Sequence, residues 1–160
     1  MSGAIGPGAR LLANWQKARR LPFGGALFTW ALGLMVPYTA TIAPRVLELE
    51  PGFARIAMSD RRSVRNHLDS VHAIALANLG EFASGAAMIT ALPPEVRSIV
   101  TGLSIEYLKK ARGTLVAEAR VAVPTVTGDM EHVVCAEIRD RAQDVVARVE
   151  VRWRLSPREG

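Results

Sequence analysis

Apolar and polar positions alternate most cleanly near the end of the chain. Over 145–155, Ala147, Val149, Val151, Trp153 and Leu155 fall on one side, against Arg148, Glu150, Arg152 and Arg154 on the other. A period of two marks a half-buried strand. The same alternation runs over 114–123, where Leu115, Ala117, Ala119, Val121 and Val123 oppose Glu118 and Arg120. Four more strands are predicted, at 39–50, 53–60, 96–108 and 131–139. Pro44 marks the first as an edge or a bulge. Glu50-Pro51-Gly52 reads as the turn between the first two. Cys135, inside an apolar strand-like run, is expected in the core.

Between the second and third strands the pattern changes. Residues 66–88 read NHLDSVHAIALANLGEFASGAAM, a run that begins polar and becomes small and mostly apolar, with only Asn78 and Glu81 strongly polar deep inside it. Asp69 or Ser70 is the expected N-cap. The helix should continue to Ala91 and stop before Pro93-Pro94. A helix with so little polar surface is a buried one, and a curved sheet wrapped around it would explain the composition. The order after the leader is therefore strand, strand, long helix, four strands. Short turns imply mainly antiparallel neighbours. The class is α+β, a six-stranded mainly antiparallel sheet wrapped around a long central helix.

Ahead of the sheet, 11–20 and 26–36 read as two short helices separated by Pro22 and Gly24-Gly25, and residues 1–9 as frayed chain. This leader could pack over the sheet, line a ligand mouth, or lie on a membrane surface through Trp15, Trp30 and the basic residues Lys17, Arg19 and Arg20. The apolar run 23–36 is shorter than the ~20 residues of an ordinary membrane span, so no stable membrane span is expected. The predicted layout is a helical extension over 1–37, one domain over 38–155 and a polar tail over 156–160.

Composition narrows the chemistry. With 160 residues and a net charge of +5, the chain suits one domain with a sizeable core. No nucleic-acid module or GxGxxG phosphate fingerprint is visible, and nucleic acid is not an expected partner. One cysteine and three histidines give neither an internal disulfide nor zinc spacing. No metal or cofactor is expected. The N-terminus lacks a signal-peptide layout, and a cytoplasmic location is expected.

Glu81 draws attention because a carboxylate is costly to ionise inside an apolar helix. Ile74, Asn78, Glu81, Gly85 and Met88 share one helical face. Glu81 is a general base activating water, a carboxylate nucleophile forming an anhydride, or an inward carboxylate satisfied by a hydrogen bond or a partner's arginine. The start of the helix offers free amides near Ala73 and Ile74, suited to a developing negative charge. Arg61 and Arg62 follow the second strand, and Lys109, Lys110 and Arg112 form a basic turn. Both groups are either solvated turns or contacts to an anionic ligand.

Asn66, His72 and Glu81 stand in an order and spacing that, with the strand order, resemble the hotdog-fold PaaI-like acyl-CoA thioesterases. The segments LSIEYLKKARGTLVAEARV and DVVARVEVRW also resemble that family's strands. The likeness covers 38–155. The leader resembles an extended branch whose activity is uncertain. His72-Ala73-Ile74 departs from the family's His-Gly-Gly. The resemblance implies hydrolysis of an acyl-CoA or acyl-carrier thioester. Glu81 would be the base, the Ala73 amide would polarise the carbonyl, and Asn66 and His72 would orient the reactants. Arg61, Arg62, Lys109, Lys110 and Arg112 would become candidate phosphate contacts for coenzyme A. It also implies a homodimer, or a tetramer, with sites across the interface. Non-catalytic acyl or lipid binding is the alternative, and an acyl-thioester hydratase or dehydratase a third.

Overall fold

The computed structural model describes residues 6–158. The alternating stretches become strands: β1 Arg45–Glu50, β2 Phe53–Met58, β3 Val96–Tyr107, β4 Leu115–Arg120, β5 Met130–Arg139 and β6 Val145–Pro157. They form one antiparallel sheet in the order β1-β2-β4-β5-β6-β3. The long helix, α4 (Ala73–Ala91), connects β2 to β3 and so carries the chain from one side of the sheet to the opposite edge. The sheet curves around it. This is the hotdog architecture that the resemblance implies.

Small side chains make the wrap tight. Ala117, Ala119, Ala136 and Ala147 are buried on the concave face, beside Val149, Val151 and Leu155. A Cβ on Gly80 would lie 2.4 Å from Val149 Cγ2, so only glycine lets α4 seat this close to β6. Leu79, Ala83, Ala87 and Met88 are fully buried. Each large apolar side chain removed from water contributes about 1.5–3 kcal/mol. Among the described residues α4 is the one helix long and apolar enough to cross a bilayer, and it is the core of the sheet.

The far end of α4 is tied down by Thr90. Its hydroxyl oxygen accepts from Gly52 N–H at 3.2 Å and lies 3.0 Å from the carbonyl oxygens of Glu50, Ala86 and Ala87. One buried hydroxyl thus fastens the β1–β2 turn to the helix.

The leader forms α1 (Pro7–Ala18), α2 (Gly24–Met35) and a single turn, α3 (Pro37–Ala40). Trp15 and Phe28 pack ring to ring at 5.2 Å and join α1 to α2. α1 lies on α4 so closely that a Cβ on Gly8 would meet Ile89 O at 1.9 Å. α2 lies along β1, where Thr29 Oγ1 accepts from the outward Val46 N–H at 3.2 Å. β1 is short and bulged between Val46 and Glu48. The opposite edge, β3, has 12 residues, and among the described residues no element lies along its free side.

Several expectations change. The strand predicted from residue 39 begins at Arg45, because α3 occupies the preceding segment. The cap is His72, not Asp69 or Ser70. Asp69 is in a left-handed conformation (φ 52), and Ser70 is engaged with Asn66. Cys135 is exposed, because Val134 and Ala136 on either side of it take the inward positions. Of the stretch expected to fray, residues 1–5 lie outside the described residues, whereas Pro7 opens α1. Within the predicted tail, Ser156 and Pro157 extend β6, and residues 159–160 lie outside the description.

Candidate active site

Glu81 is half-buried near the middle of α4, beside the leader. It faces a cavity of about 280 Å³ lined mainly by apolar side chains. Leu32, Met35 and Val36 of the leader, Val46 and Leu49 of β1, and Phe82 supply much of that wall. Burial raises the Glu81 carboxyl above its ordinary value of 4.5, because low-dielectric surroundings penalise the charged form. Among the described residues no cation pairs with it. Ser84 donates to Glu81 O at 2.8 Å, a backbone contact that leaves the carboxylate untouched. Phe82 lines this cavity, whereas Met88 is sealed in the core and Ile74 faces outward.

The start of α4 is built separately. His72 Nδ1 accepts from Ile74 N–H at 3.1 Å, which places the ring proton on Nε2. Ile74 N–H is thereby occupied. Among the described residues no acceptor is recorded for Ala73 N–H, an orphan donor at a helix N-terminus. Asn66 Oδ1 accepts from Leu68 N–H at 2.9 Å, Ser70 N–H at 3.3 Å and Ser70 Oγ at 3.1 Å. That network holds the turn ahead of the helix. Tyr107, which sequence reasoning did not single out, donates to Ala73 O at 3.1 Å. Asn66, Ala73, Tyr107, Lys109 and Lys110 share one open depression of about 370 Å³. His72 and the buried Asn78 share another of about 200 Å³ with Tyr38 and Arg65.

Within one chain, then, Glu81 is not in the same pocket as Asn66, His72 and Ala73. Eight residues of helix from Ala73 to Glu81 span about 12 Å. One thioester carbonyl cannot sit at hydrogen-bond distance from the Ala73 amide while a water held by the same chain's Glu81 attacks it.

The basic residues gather near the start of α4. Arg112 donates to Asp69 O at 3.1 Å, and Val71 N–H to Ala111 O at 2.8 Å, so the 109–113 turn lies against the turn before the helix. Lys109 is held between Asp140 and Asp144 at 2.8 and 2.6 Å. Arg61 donates to Thr41 O at 2.9 Å. Arg62 and Lys110 are exposed and in no ion pair among the described residues. No cluster of potential metal ligands occurs among the described residues.

Comparison with known proteins gives a family match and several structural ones. A family model described as a domain of unknown function, DUF4442, matches residues 24–155. A crystal structure from genomics work superimposes with a TM-score of 0.81 at 34% identity, over 94% of this chain and 100% of that one. A Pseudomonas aeruginosa protein of unknown function, described as a probable thioesterase, superimposes with a TM-score of 0.75 at 24% identity, over 86% of this chain and 97% of that one. A thioesterase family protein from Silicibacter pomeroyi gives 0.69 at 19% identity, over 81% and 96%. A search of curated proteins finds no match. The likeness to the last two structures is one of fold.

Proposed function

The chain belongs to the DUF4442 family and has the hotdog fold, and from that premise we propose that it hydrolyses an acyl-CoA or acyl-carrier thioester. The observation that carries this reading is Glu81, a half-buried carboxylate without a cation partner among the described residues, facing an apolar cavity of about 280 Å³. The ionised carboxylate takes a proton from water as the water oxygen attacks the thioester carbonyl carbon. The negative charge on the carbonyl oxygen is met by the Ala73 N–H at a helix N-terminus. The carbon–sulfur bond then breaks, and the proton passes to the departing sulfur. The products are a carboxylic acid and a free thiol.

Because about 12 Å separate the two groups along one helix, the reading requires Glu81 of one protomer to work with Asn66, His72 and Ala73 of another. A homodimer joined along β3 is the smallest unit that supplies both. Support comes from the free β3 edge and from Ile74, Leu103, Tyr107 and Leu108, all exposed apolar residues on α4, β3 and the turn that follows. Arg62, Lys110 and Arg112 would meet the phosphates of coenzyme A.

The test is release of free thiol from short, medium, long and aromatic acyl-CoAs by the purified full chain, with Glu81→Gln alongside. Loss of a general base should lower turnover by about 10²–10⁴ with the fold intact. Undiminished turnover by the variant removes Glu81 from the chemistry. A second reading, acyl binding without hydrolysis, is favoured by the separation of Glu81 from Ala73 within the chain. It predicts saturable acyl-CoA binding with no thiol released by the wild type.

A further inference from the structure

Four side chains, Phe23, Leu27, Trp30 and Leu34, are spaced by four, three and four residues at the start of α2 and along it, and so fall on one face. Their exposures are 89%, 61%, 63% and 68%. Leu21, 60% exposed, adds to the same end. Phe23 has φ 59, a left-handed conformation that disfavours a bulky residue. The backbone is therefore held in a disfavoured state with an aromatic ring in water. The opposite face of α2 is fully used, with Phe28 against Trp15 and Leu32 in the wall of the Glu81 cavity.

Charge is distributed to match. Residues 1–47 contain Arg10, Lys17, Arg19, Arg20 and Arg45 and no carboxylate, while residues 48–160 contain fifteen basic and fifteen acidic residues. The net charge of +5 therefore lies ahead of Glu48, four of the five cations in the leader and the fifth, Arg45, opening β1. Lys17, Arg19 and Arg20 are exposed and immediately precede Leu21 and Phe23. Arg45 borders a depression of about 440 Å³ that Trp30 and Leu34 also line. A second copy would bring one cationic leader against another, which like-charge repulsion opposes. An apolar stripe flanked by cations and free of carboxylates matches an anionic bilayer, with rings and leucines among the acyl chains and guanidinium groups among the headgroups.

We propose that the outer face of α2, with Phe23, Leu27, Trp30 and Leu34 as anchors and Lys17, Arg19 and Arg20 as headgroup contacts, docks the protein on the surface of an anionic membrane. The helix lies in the interface and does not span it, since it has 12 residues and a span takes about 20. Docking does not rest on the thioesterase reading. If both hold, Leu32 and Met35 separate lipid from the Glu81 cavity, and an acyl chain already in the bilayer is the substrate tail nearest to it.

The experiment uses the full chain and two kinds of vesicle, phosphatidylcholine alone and equal parts phosphatidylcholine and phosphatidylglycerol. Binding is read by co-sedimentation at low ionic strength and by tryptophan emission. Trp15 and Trp153 are only 4% and 8% exposed, so a blue shift on binding reports Trp30. The wild type should co-sediment with the phosphatidylglycerol vesicles, and added salt should release it. Leu27→Glu with Leu34→Glu should lower the partition coefficient at least about tenfold, and Arg19→Glu with Arg20→Glu by about tenfold or more. The second pair touches only exposed turn residues, so it keeps the test valid if the first pair disturbs folding. Circular dichroism melts check both. Three results overturn the proposal: no binding of the wild type to anionic vesicles, equal binding to phosphatidylcholine alone, or a Trp30 already shielded from acrylamide in a vesicle-free oligomer. Thiol release is not measured, so failure here is distinct from failure of the hydrolytic reading.

Discussion

Replacing Gly80 by alanine sets a methyl group against the sheet. The new carbon would lie 2.4 Å from Val149 Cγ2, 2.7 Å from Cβ and 3.1 Å from Cγ1. Carbon atoms pack at about 3.5–4.0 Å, so α4 and β6 must separate locally by roughly 1 Å. Rotating Val149 cannot help, because its Cβ is itself too near. Overpacking of this kind costs about 1–3 kcal/mol, and alanine returns about 1 kcal/mol in helix propensity. The net loss should be up to about 2 kcal/mol, a fall in Tm of up to several degrees for a chain of this size. Urea titrations at fixed protein concentration measure it. Val149→Ala removes the 2.4 and 3.1 Å contacts and leaves the one at 2.7 Å. In a double-mutant cycle the pair should therefore be less destabilised than the sum of the singles, by about 1 kcal/mol. Because Glu81 is the next residue, the displaced helix should also depress thiol release, by as much as about a hundredfold for a 1 Å error in position. A Gly80→Ala protein that melts above the wild type, or a cycle that is additive within about 0.3 kcal/mol, refutes the close-approach argument.

Glu81→Gln should raise Tm at neutral pH while removing turnover. The folded carboxyl has its pKa raised by burial above 4.5, so its stabilisation is present below that value and lost as pH rises through the folded pKa. The difference in Tm should therefore vanish in acid. The same shift makes wild-type kcat/KM climb with pH through a value above 4.5, read from thiol release across pH. Thr90→Val leaves the buried Gly52 N–H without its acceptor and should cost about 1–3 kcal/mol in chemical denaturation. Asp60 is held below 3.8 by a hydrogen bond from Arg65, against the opposing effect of burial and with help from Gly113 N–H. Its stabilisation is present above the unfolded value and is lost as pH falls through the folded one. Asp60→Asn should flatten the acid limb of the Tm profile.

The sheet and its helix were legible because both depend on simple periods. β6 follows from strict alternation, and α4 from a run of small residues bounded by Pro93. Cys135 could have been placed by the same rule, since Val134 and Ala136 hold the inward parity and leave it outside. The His72 cap was hidden because an imidazole rarely does the work of Ser, Thr, Asp or Asn there. Strand order is a further limit. Nothing local says that α4 delivers β3 to the far edge beside β6. The cavity around Glu81 was the least readable part. Its wall comes from Leu32, Met35, Val46 and Phe82, residues far apart in sequence and brought together only by the docking of α1 on α4 and of α2 along β1. The hydrophobic pattern marks those residues as apolar without saying what they enclose.

The two edges of the sheet differ in a way that governs how far it can grow. β1 is short, bulged and occupied by α2, whereas β3 presents twelve residues with a side left open among the described residues. In the language of polymer chemistry such a subunit is monofunctional. A copy that adds at β3 uses up its own open side in doing so and leaves only blocked sides facing out. Growth by strand addition ends at two subunits, and the leader acts as the chain terminator. Stripping α2 from β1 would convert the same fold into a bifunctional unit able to propagate, so the cost of losing that helix would be counted in filaments as well as in stability.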